Sequence, residues 1–318
     1  MPSVLVTRRL PSSVLSRLQS VADIDVHRGE GPIPPDELRR RIADKAGLVC
    51  FSTDAIDRTV LEAALQLKVI ATVAVGYDNI DVVLARSRGA IVSNTPDVLT
   101  ESVADFTWGL ILAITRRLAE GERLVRRGGW KGWAFDLMLG SELRGKQLGV
   151  IGIGRIGRAV ASRAPAFGMR VAYTARGGDV ATPAIDVPGE AMSLDRLLIT
   201  SDVVSLHVPL TPDTRHLIDK RALARMKRSA FLINTARGPV IDEAALAWAL
   251  QQHLIAGAAL DVYEHEPAVH PDLLSLENVL LVPHLASGTT ETRSTMAELA
   301  IDNVIEVLAG RPPLTPVF

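Results

Sequence analysis

The sequence predicts an α/β protein made of two Rossmann-like domains, each a doubly wound parallel sheet with helices on both faces. Three observations carry this. Short apolar runs alternate with helical patterns through nearly the whole chain, the signature of parallel strands joined by helical crossovers. One strand-to-helix junction holds a glycine fingerprint, Gly152-x-Gly154-x-x-Gly157. The length, 318 residues, is enough for two cores rather than one.

In chain order, the first alternation offers strands at Ser3–Val6, Ile24–His27, Gly47–Phe51, Val69–Val73 and Ile91–Ser93. Helical patterns fall between them at Ser12–Val21, Pro35–Asp44, Asp57–Leu65 and Asp81–Ser87. Thr7-Arg8-Arg9 follows the first strand where a glycine turn would stand, so this domain reads as doubly wound without a dinucleotide of its own. Residues 99–127 read as one long helix. Phe106, Trp108, Leu110, Ile111, Ile114 and Leu118 crowd one half, and Arg116, Arg117, Arg123, Arg126 and Arg127 the other. A helix of that length would bridge domains or reach a partner subunit. The loop Gly129-Trp130-Lys131-Gly132-Trp133 then needs somewhere to bury two tryptophans, in its own domain or at a subunit interface.

The second alternation places strands at Leu148–Ile151, Arg170–Tyr173, Val203–His207, Ala230–Asn234, Ala256–Leu260 and Val279–Val282. Helices fall at Ile156–Ala166, Leu194–Thr200, Lys220–Met226 and Glu243–Gln251. Six strands with intervening helices match a dinucleotide-binding sheet. A last amphipathic helix, 289–309, is placed to return to the first domain and make it discontinuous. The expected division is 1–98 plus 286–318 for substrate and 99–285 for the dinucleotide.

Composition excludes several classes. Lys and Arg total 35 against 36 Asp and Glu, a net charge of −1, so no electrostatic footprint for nucleic acid or anionic membrane exists. One cysteine, Cys50, rules out an internal disulfide framework and fits a reducing cytoplasm. The apolar run Phe106–Ile114 is too short to span a bilayer, and with strand-like Val4-Leu5-Val6 at the N-terminus no signal peptide is expected. A cytoplasmic enzyme is expected, with no metal site.

In the fingerprint, Gly152 permits the tight turn, Gly154 lets a pyrophosphate approach the backbone, and Gly157 lets helix pack on strand. The N–H groups and positive dipole end of the new helix would face the phosphates. Ligands of open parallel sheets sit beyond the carboxyl ends of strands, and four groups fall there: Thr235-Ala236-Arg237-Gly238, Asp261, Glu264-His265-Glu266-Pro267 and Pro283-His284. Arg237 there can clamp a carboxylate through two charged hydrogen bonds. His284 is the candidate proton donor, because histidine titrates near neutrality. Glu266 beside it would favour the imidazolium form. His265 is a rival without a strand end, and His207, ending Ser205-Leu206-His207, reads as cofactor lining.

These residues resemble the D-isomer-specific 2-hydroxyacid dehydrogenase family, over essentially the whole chain. The resemblance rests on Val75-Gly76-Tyr77-Asp78-Asn79-Ile80-Asp81, the glycine fingerprint, Asn234-Thr235-Ala236-Arg237-Gly238, Asp261-Val262-Tyr263-Glu264-His265-Glu266-Pro267 and Pro283-His284. It implies two Rossmann-like domains with the active site in the cleft between them, the substrate domain discontinuous, and a homodimer through the cofactor domain. By matching position it implies that Arg237 binds the substrate carboxylate and carbonyl, that His284 is the acid in reduction and that Glu266 is its partner. Backbone N–H groups of Val75 and Gly76 would hold the substrate carboxylate, and Asp261 the nicotinamide carboxamide. Arg155, Ile156, Pro209, Thr214 and Thr235 would line the dinucleotide, with Ser287 and Gly288 near the nicotinamide. Ending at Phe318, the chain is expected to lack the extension of the larger regulated phosphoglycerate dehydrogenases. Within the family the tryptophan loop resembles that of glyoxylate and hydroxypyruvate reductases, where the second tryptophan, here Trp133, reaches the neighbouring subunit's substrate pocket. The loop departs from that pattern at Ala134, where those reductases usually carry proline.

An NAD site would place an acidic residue at the end of the second strand, roughly 20 residues past the glycines. Here Tyr173 is followed by Thr174-Ala175-Arg176, and no Asp or Glu appears before Asp179. Arg176 and Thr174 suit a 2′-phosphate instead, so NADP(H) is expected in preference to NAD(H). The expected reaction is NADPH-dependent reduction of glyoxylate or hydroxypyruvate to the D-2-hydroxy acid. D-lactate-type or phosphoglycerate oxidation is the enzymatic alternative. A dinucleotide-sensing binding protein, such as a corepressor, is the alternative of another class. Formate is disfavoured because it lacks the second carbon that the Arg237–His284 plan addresses.

Overall fold

The computed structural model describes residues 1–174 and 189–318. Two compact units divide the chain: residues 1–99 with 288–318, and residues 100–287.

The first unit begins with β1 (Ser3–Val6), α1 (Ser12–Gln19), β2 (Asp23–Val26), α2 (Pro35–Ile42), β3 (Gly47–Cys50), α3 (Arg58–Ala63), β4 (Val69–Thr72), α4 (Val82–Ser87) and β5 (Ile91–Ser93). Its five strands are parallel in the order β2-β1-β3-β4-β5. β3 and β4 are buried on both faces, which is why they read as continuous apolar runs without alternation. Asp57 and Asp81 cap α3 and α4 by accepting first-turn backbone N–H groups.

The second unit holds α5 (Thr100–Thr115), α6 (Leu118–Arg126), β6 (Gln147–Ile151), α7 (Arg155–Arg163), β7 (Arg170–Thr174), β8 (Glu190–Ala191), α8 (Leu194–Thr200), β9 (Val203–Leu206), α9 (Lys220–Arg225), β10 (Phe231–Asn234), α10 (Glu243–Gln251), β11 (Gly257–Leu260), α11 (Pro271–Leu274) and β12 (Val279–Leu281). Seven parallel strands run β12-β11-β10-β9-β6-β7-β8. From β6 the chain winds outward to β8, crosses back to β9, and winds the other way to β12. The switch point lies between β6 and β9, where an open α/β sheet leaves a crevice at its strand ends. The last helix, α12 (Thr290–Leu308), belongs to the first unit and packs on β3, β4 and α1. Asn303, fully buried in it, exchanges hydrogen bonds with Thr315. The chain end returns to β5 through Val317 N–H to Val92 O (2.9 Å).

Three local readings need correction. The predicted single helix over 99–127 is two helices, broken at Arg117, whose backbone is left-handed (φ 55°). The reason is competition for the last carbonyls of α5. Thr115 bonds back to Ile111 O, and Thr115 O accepts from Ser141 N instead of a continuing helix (2.8 Å). The helix read as Ile156–Ala166 ends at Arg163 and tightens into a 3-10 turn, Ala164–Phe167, around Pro165. The second sheet has a seventh strand, β8, whose two residues are too short for any periodicity.

Candidate active site

The glycine turn occupies the switch point of the second sheet. Gly152 follows β6 at φ 95°, and a side chain there would meet His207 O, just past β9, at 2.7 Å. A Cβ on Gly157 would stand 2.0 Å from Gly152 O, so helix and turn touch backbone to backbone. Gly154 differs: a Cβ there would meet nothing within 4 Å. No side chain caps α7 among the described residues, whereas Ser193, Asp219 and Asp242 cap α8, α9 and α10. Open space in front of an uncapped nine-residue helix, walled by glycines, fits a dinucleotide pyrophosphate. Arg155 and Ile156 open that helix. Thr174 ends β7, and its hydroxyl accepts from Gly152 N (3.4 Å), so the residue marking the second strand's end touches the turn itself. Arg176 lies outside the described residues.

The loops after β9 and β10 complete this side. Thr214 donates to Pro209 O (2.6 Å) and accepts from Thr211 N (2.8 Å), closing 209–214 into a tight turn. Thr107 on α5 spends its hydroxyl proton on Val103 O, so in the 3.0 Å contact between Thr107 and Thr235 it is Thr235 that donates. Asn234 clasps the next turn, donating to Arg237 O and accepting from Ala236 N (2.9 and 3.0 Å). That clasp explains why an asparagine precedes the Thr-Ala-Arg-Gly run. Arg237, half-buried, donates back to Ala236 O (2.8 Å), and its charge acts on Glu266.

His284 and Glu266 meet. Glu266 Oε2 lies 2.9 Å from Nδ1 of His284, and its other oxygen accepts from Tyr263 N (3.1 Å). Burial pushes the Glu266 carboxyl up. The His284 hydrogen bond, the charges of His284 and Arg237 and the Tyr263 N–H outweigh it and hold the group below the usual glutamate range. His284 sits just past β12 in a left-handed conformation (φ 52°), its N–H donating to Asp261 O (2.9 Å). Asp261, fully buried, accepts from Leu285 N (2.6 Å) and Ala286 N (2.9 Å). Its carboxylate therefore shapes the segment leading into Ser287 and Gly288, and a ligand amide would be a third donor. His265 is exposed and bridges Ala268 rather than facing the pair. His207 bonds Ser205 (2.8 Å), and desolvation pushes its imidazole down to about 3, so it stays neutral and cannot deliver a proton near pH 7.

Val75 and Gly76 follow β4 in the first unit. Asn94 donates to Val75 O (2.8 Å), and Asn79 holds the far end of the same loop by donating to Phe51 O and Asp54 O (3.0 and 2.7 Å). Trp130, Trp133 and Phe135 are exposed, Trp133 to 83%. None of the described helices is long and apolar enough to cross a membrane.

What this arrangement can do chemically is proton transfer at an imidazole steadied by a carboxylate within the charge of a guanidinium, in the same unit as the glycine turn. Comparison with known proteins places it. Residues 108–286 match the family model described as D-isomer specific 2-hydroxyacid dehydrogenase, NAD binding domain. A glyoxylate reductase of Thermofilum pendens is 49% identical over 318 aligned residues, 98% of this chain and 93% of that one. A solved structure from Thermus thermophilus is 47% identical with a TM-score of 0.92, covering 99% of this chain and all of that one. An NADPH-dependent glyoxylate/hydroxypyruvate reductase from Sinorhizobium meliloti, solved with NADP and malonate, is 37% identical with a TM-score of 0.87 over 99% of this chain and 96% of its own. With two parallel sheets, a glycine turn at a switch point and relatives matched along nearly its full length, the chain belongs to the D-isomer-specific 2-hydroxyacid dehydrogenases, oxidoreductases that work with a nicotinamide dinucleotide.

Proposed function

We propose that this enzyme uses NADPH to reduce glyoxylate or hydroxypyruvate to the D-2-hydroxy acid, with His284 as the acid. The observation that carries the reading is the 2.9 Å contact between Glu266 and Nδ1 of His284, within reach of the charge of Arg237. A carboxylate only accepts, so Nδ1 must hold a proton and Nε2 is the nitrogen left to deliver one. Bound NADPH supplies the hydride. Arg237 binds the substrate carboxylate and polarises the 2-oxo group, and His284 protonates the oxygen as charge develops on it. Backbone N–H groups of Val75 and Gly76 take the carboxylate. Asp261, Ser287 and Gly288 address the nicotinamide, and Arg155, Ile156, Pro209, Thr214 and Thr235 the rest of the dinucleotide.

The cofactor reading rests on the absence of an acidic residue at the end of β7, where Thr174 stands, and on Arg176 two positions later. A 2′-phosphate gains a charged fork from arginine that a ribose hydroxyl does not need. Arg176→Ala is therefore expected to weaken NADPH by about 10-fold or more, the cost of a charge-assisted hydrogen bond, and to leave NADH nearly unchanged. Equal losses for both would refute the preference. Substrate identity is tested by consumption of NADPH and NADH with glyoxylate, hydroxypyruvate and pyruvate side by side. Glyoxylate and hydroxypyruvate are expected to exceed pyruvate, and failure to turn over any 2-oxo acid would overturn the reading. The assembly proposed is a homodimer in which Trp133 narrows the neighbouring subunit's site. The exposure of Trp130, Trp133 and Phe135 on one loop supports it.

A further inference from the structure

Three connecting segments follow β9, β10 and β11, and one cluster of side chains joins all three. His216 lies on the first. Its ring Nε2 is 2.6 Å from Glu264 Oε1 on the third. Glu264 Oε2 accepts from Glu243 N, at the start of α10 on the second (3.2 Å). The bond is returned: Glu264 N donates to Glu243 Oε1 (2.6 Å), and Glu243 Oε2 accepts from His270 N (3.3 Å). Backbone pairing reinforces the same seam, with His216 N on Pro239 O (2.8 Å) and Ile218 N on Val240 O (3.1 Å). Glu243 is 4% exposed. Two carboxylates that close repel each other unless polar and basic groups answer them. His216 and, at 3.9 Å, Arg215 face Glu264, with His265 nearby, while His270 faces Glu243.

The cluster stands immediately behind the reacting groups. Glu264 is two residues from Glu266, whose own neighbours are His284, Arg237, Tyr263 and Asp261. Gly238, next to Arg237, packs so tightly on the Tyr263–Glu264 peptide that a Cβ would sit 1.8 Å from Tyr263 C. Any shift of the Glu264 backbone is passed to Arg237 on one side and Glu266 on the other. Neither Arg237 nor Glu266 lies in a regular strand or helix, so sheet hydrogen bonds do not fix them. We propose that His216, Glu264 and Glu243 form a positioning clip that holds the Arg237 and Glu266 segments in register, so that Glu266 keeps its hydrogen bond to His284. The proposal rests on the roles given above to Arg237, Glu266 and His284.

The test uses the full-length enzyme and reads two things. Glu264→Ala is expected to lower kcat with glyoxylate by between about 10- and 100-fold, the cost of a catalytic group misplaced by ~1 Å, while NADPH affinity stays within about threefold. Glu264→Gln should retain most of the rate, because its amide oxygen still accepts from Glu243 N while its NH2 can meet a neutral His216 ring. The second reading is the low-field proton resonance of His284 Nδ1–H, identified by its loss in His284→Ala. It should vanish or broaden in Glu264→Ala and persist in Glu264→Gln. His216→Ala, at a partly exposed side chain, gives the same two readings if Glu264→Ala does not fold. An unchanged resonance and rate in the alanine variants would overturn the proposal. So would a rate and melting temperature that fall together while the resonance persists and glutamine rescues nothing. If the unaltered enzyme reduces no 2-oxo acid, the functional reading fails, and the resonance alone still decides whether the clip positions Glu266.

Discussion

The contact between Glu266 and His284 Nδ1 fixes both a tautomer and a sign. Because Glu266 is held below the usual glutamate range, it stays ionised through the neutral region and remains an acceptor for the His284 ring. If the pair serves reduction as proposed, kcat is expected to hold as pH is lowered through the ordinary glutamate range and to fall only where Glu266 itself takes up a proton, below that range. A kcat that collapses within the ordinary glutamate range would remove Glu266 as the partner. His284→Ala should cut kcat by roughly 10²- to 10⁴-fold, the contribution of a placed general acid, with NADPH binding retained. Near-normal turnover would defeat the assignment. His207 gives an opposite lesson. Its folded pKa of about 3 lies below its ordinary value of 6.5, so the unfolded chain binds a proton that the native state refuses. Stability should therefore decline as pH drops from about 6.5 towards 3, a slope that His207→Gln would flatten in denaturant titrations. The meeting of Glu266 with His284, within the charge of Arg237, was legible in sequence because the segments that carry them follow strands of an open parallel sheet. His216 and Glu243 carried no such mark. His216 lies in an irregular segment, and Glu243 reads as an ordinary first-turn acid of a helix, so only the folded backbone brings them to Glu264.

At the scale of elements, the glycine turn separates space needed by the chain from space needed by a ligand. Gly157→Ala would drive a methyl against Gly152 O at 2.0 Å and is expected to destabilise by about 1–3 kcal/mol, the range for overpacking. Gly154→Ala meets no protein atom within 4 Å and has an extended backbone any residue accepts (φ −72°, ψ −167°). It should melt like the unaltered protein yet bind NADPH at least about tenfold more weakly, since a methyl would stand where backbone must approach phosphate. Parallel changes in melting temperature and affinity for the two variants would contradict this division. The spacing of these glycines was readable because strand and helix flank them in sequence. The break between α5 and α6 was not. Residues 99–127 keep a helical period throughout, and the turn at Arg117 arises from a carbonyl of Thr115 given to Ser141, 26 positions away. Periodicity reports local preference and is silent about such distant competition.

The whole molecule adds the question of what the exposed loop 129–135 does. Leu118 and Val125 on α6 are exposed, α6 buries no residue, and Trp130, Trp133 and Phe135 stand open beyond it. In a lone chain this apolar surface would be costly, and charge does not compensate, the chain being near neutral. A second copy that covers it makes a sharp prediction, because Trp133 would then serve a site whose His284 belongs to the other chain. Mixing His284→Ala with Trp133→Ala and allowing exchange should create heterodimers with one complete site, built from His284 of the tryptophan-less chain and Trp133 of the histidine-less one. Activity on hydroxypyruvate should rise above the sum of the two parents as exchange proceeds, towards one wild-type site per heterodimer. Its KM should return to the unaltered value, since the restored site is unaltered in every contacting residue. If Trp133 instead packs on its own chain, every heterodimer site lacks one group and mixing gains nothing. A sedimentation mass of one chain at assay concentration would rule out the arrangement before any kinetics were run.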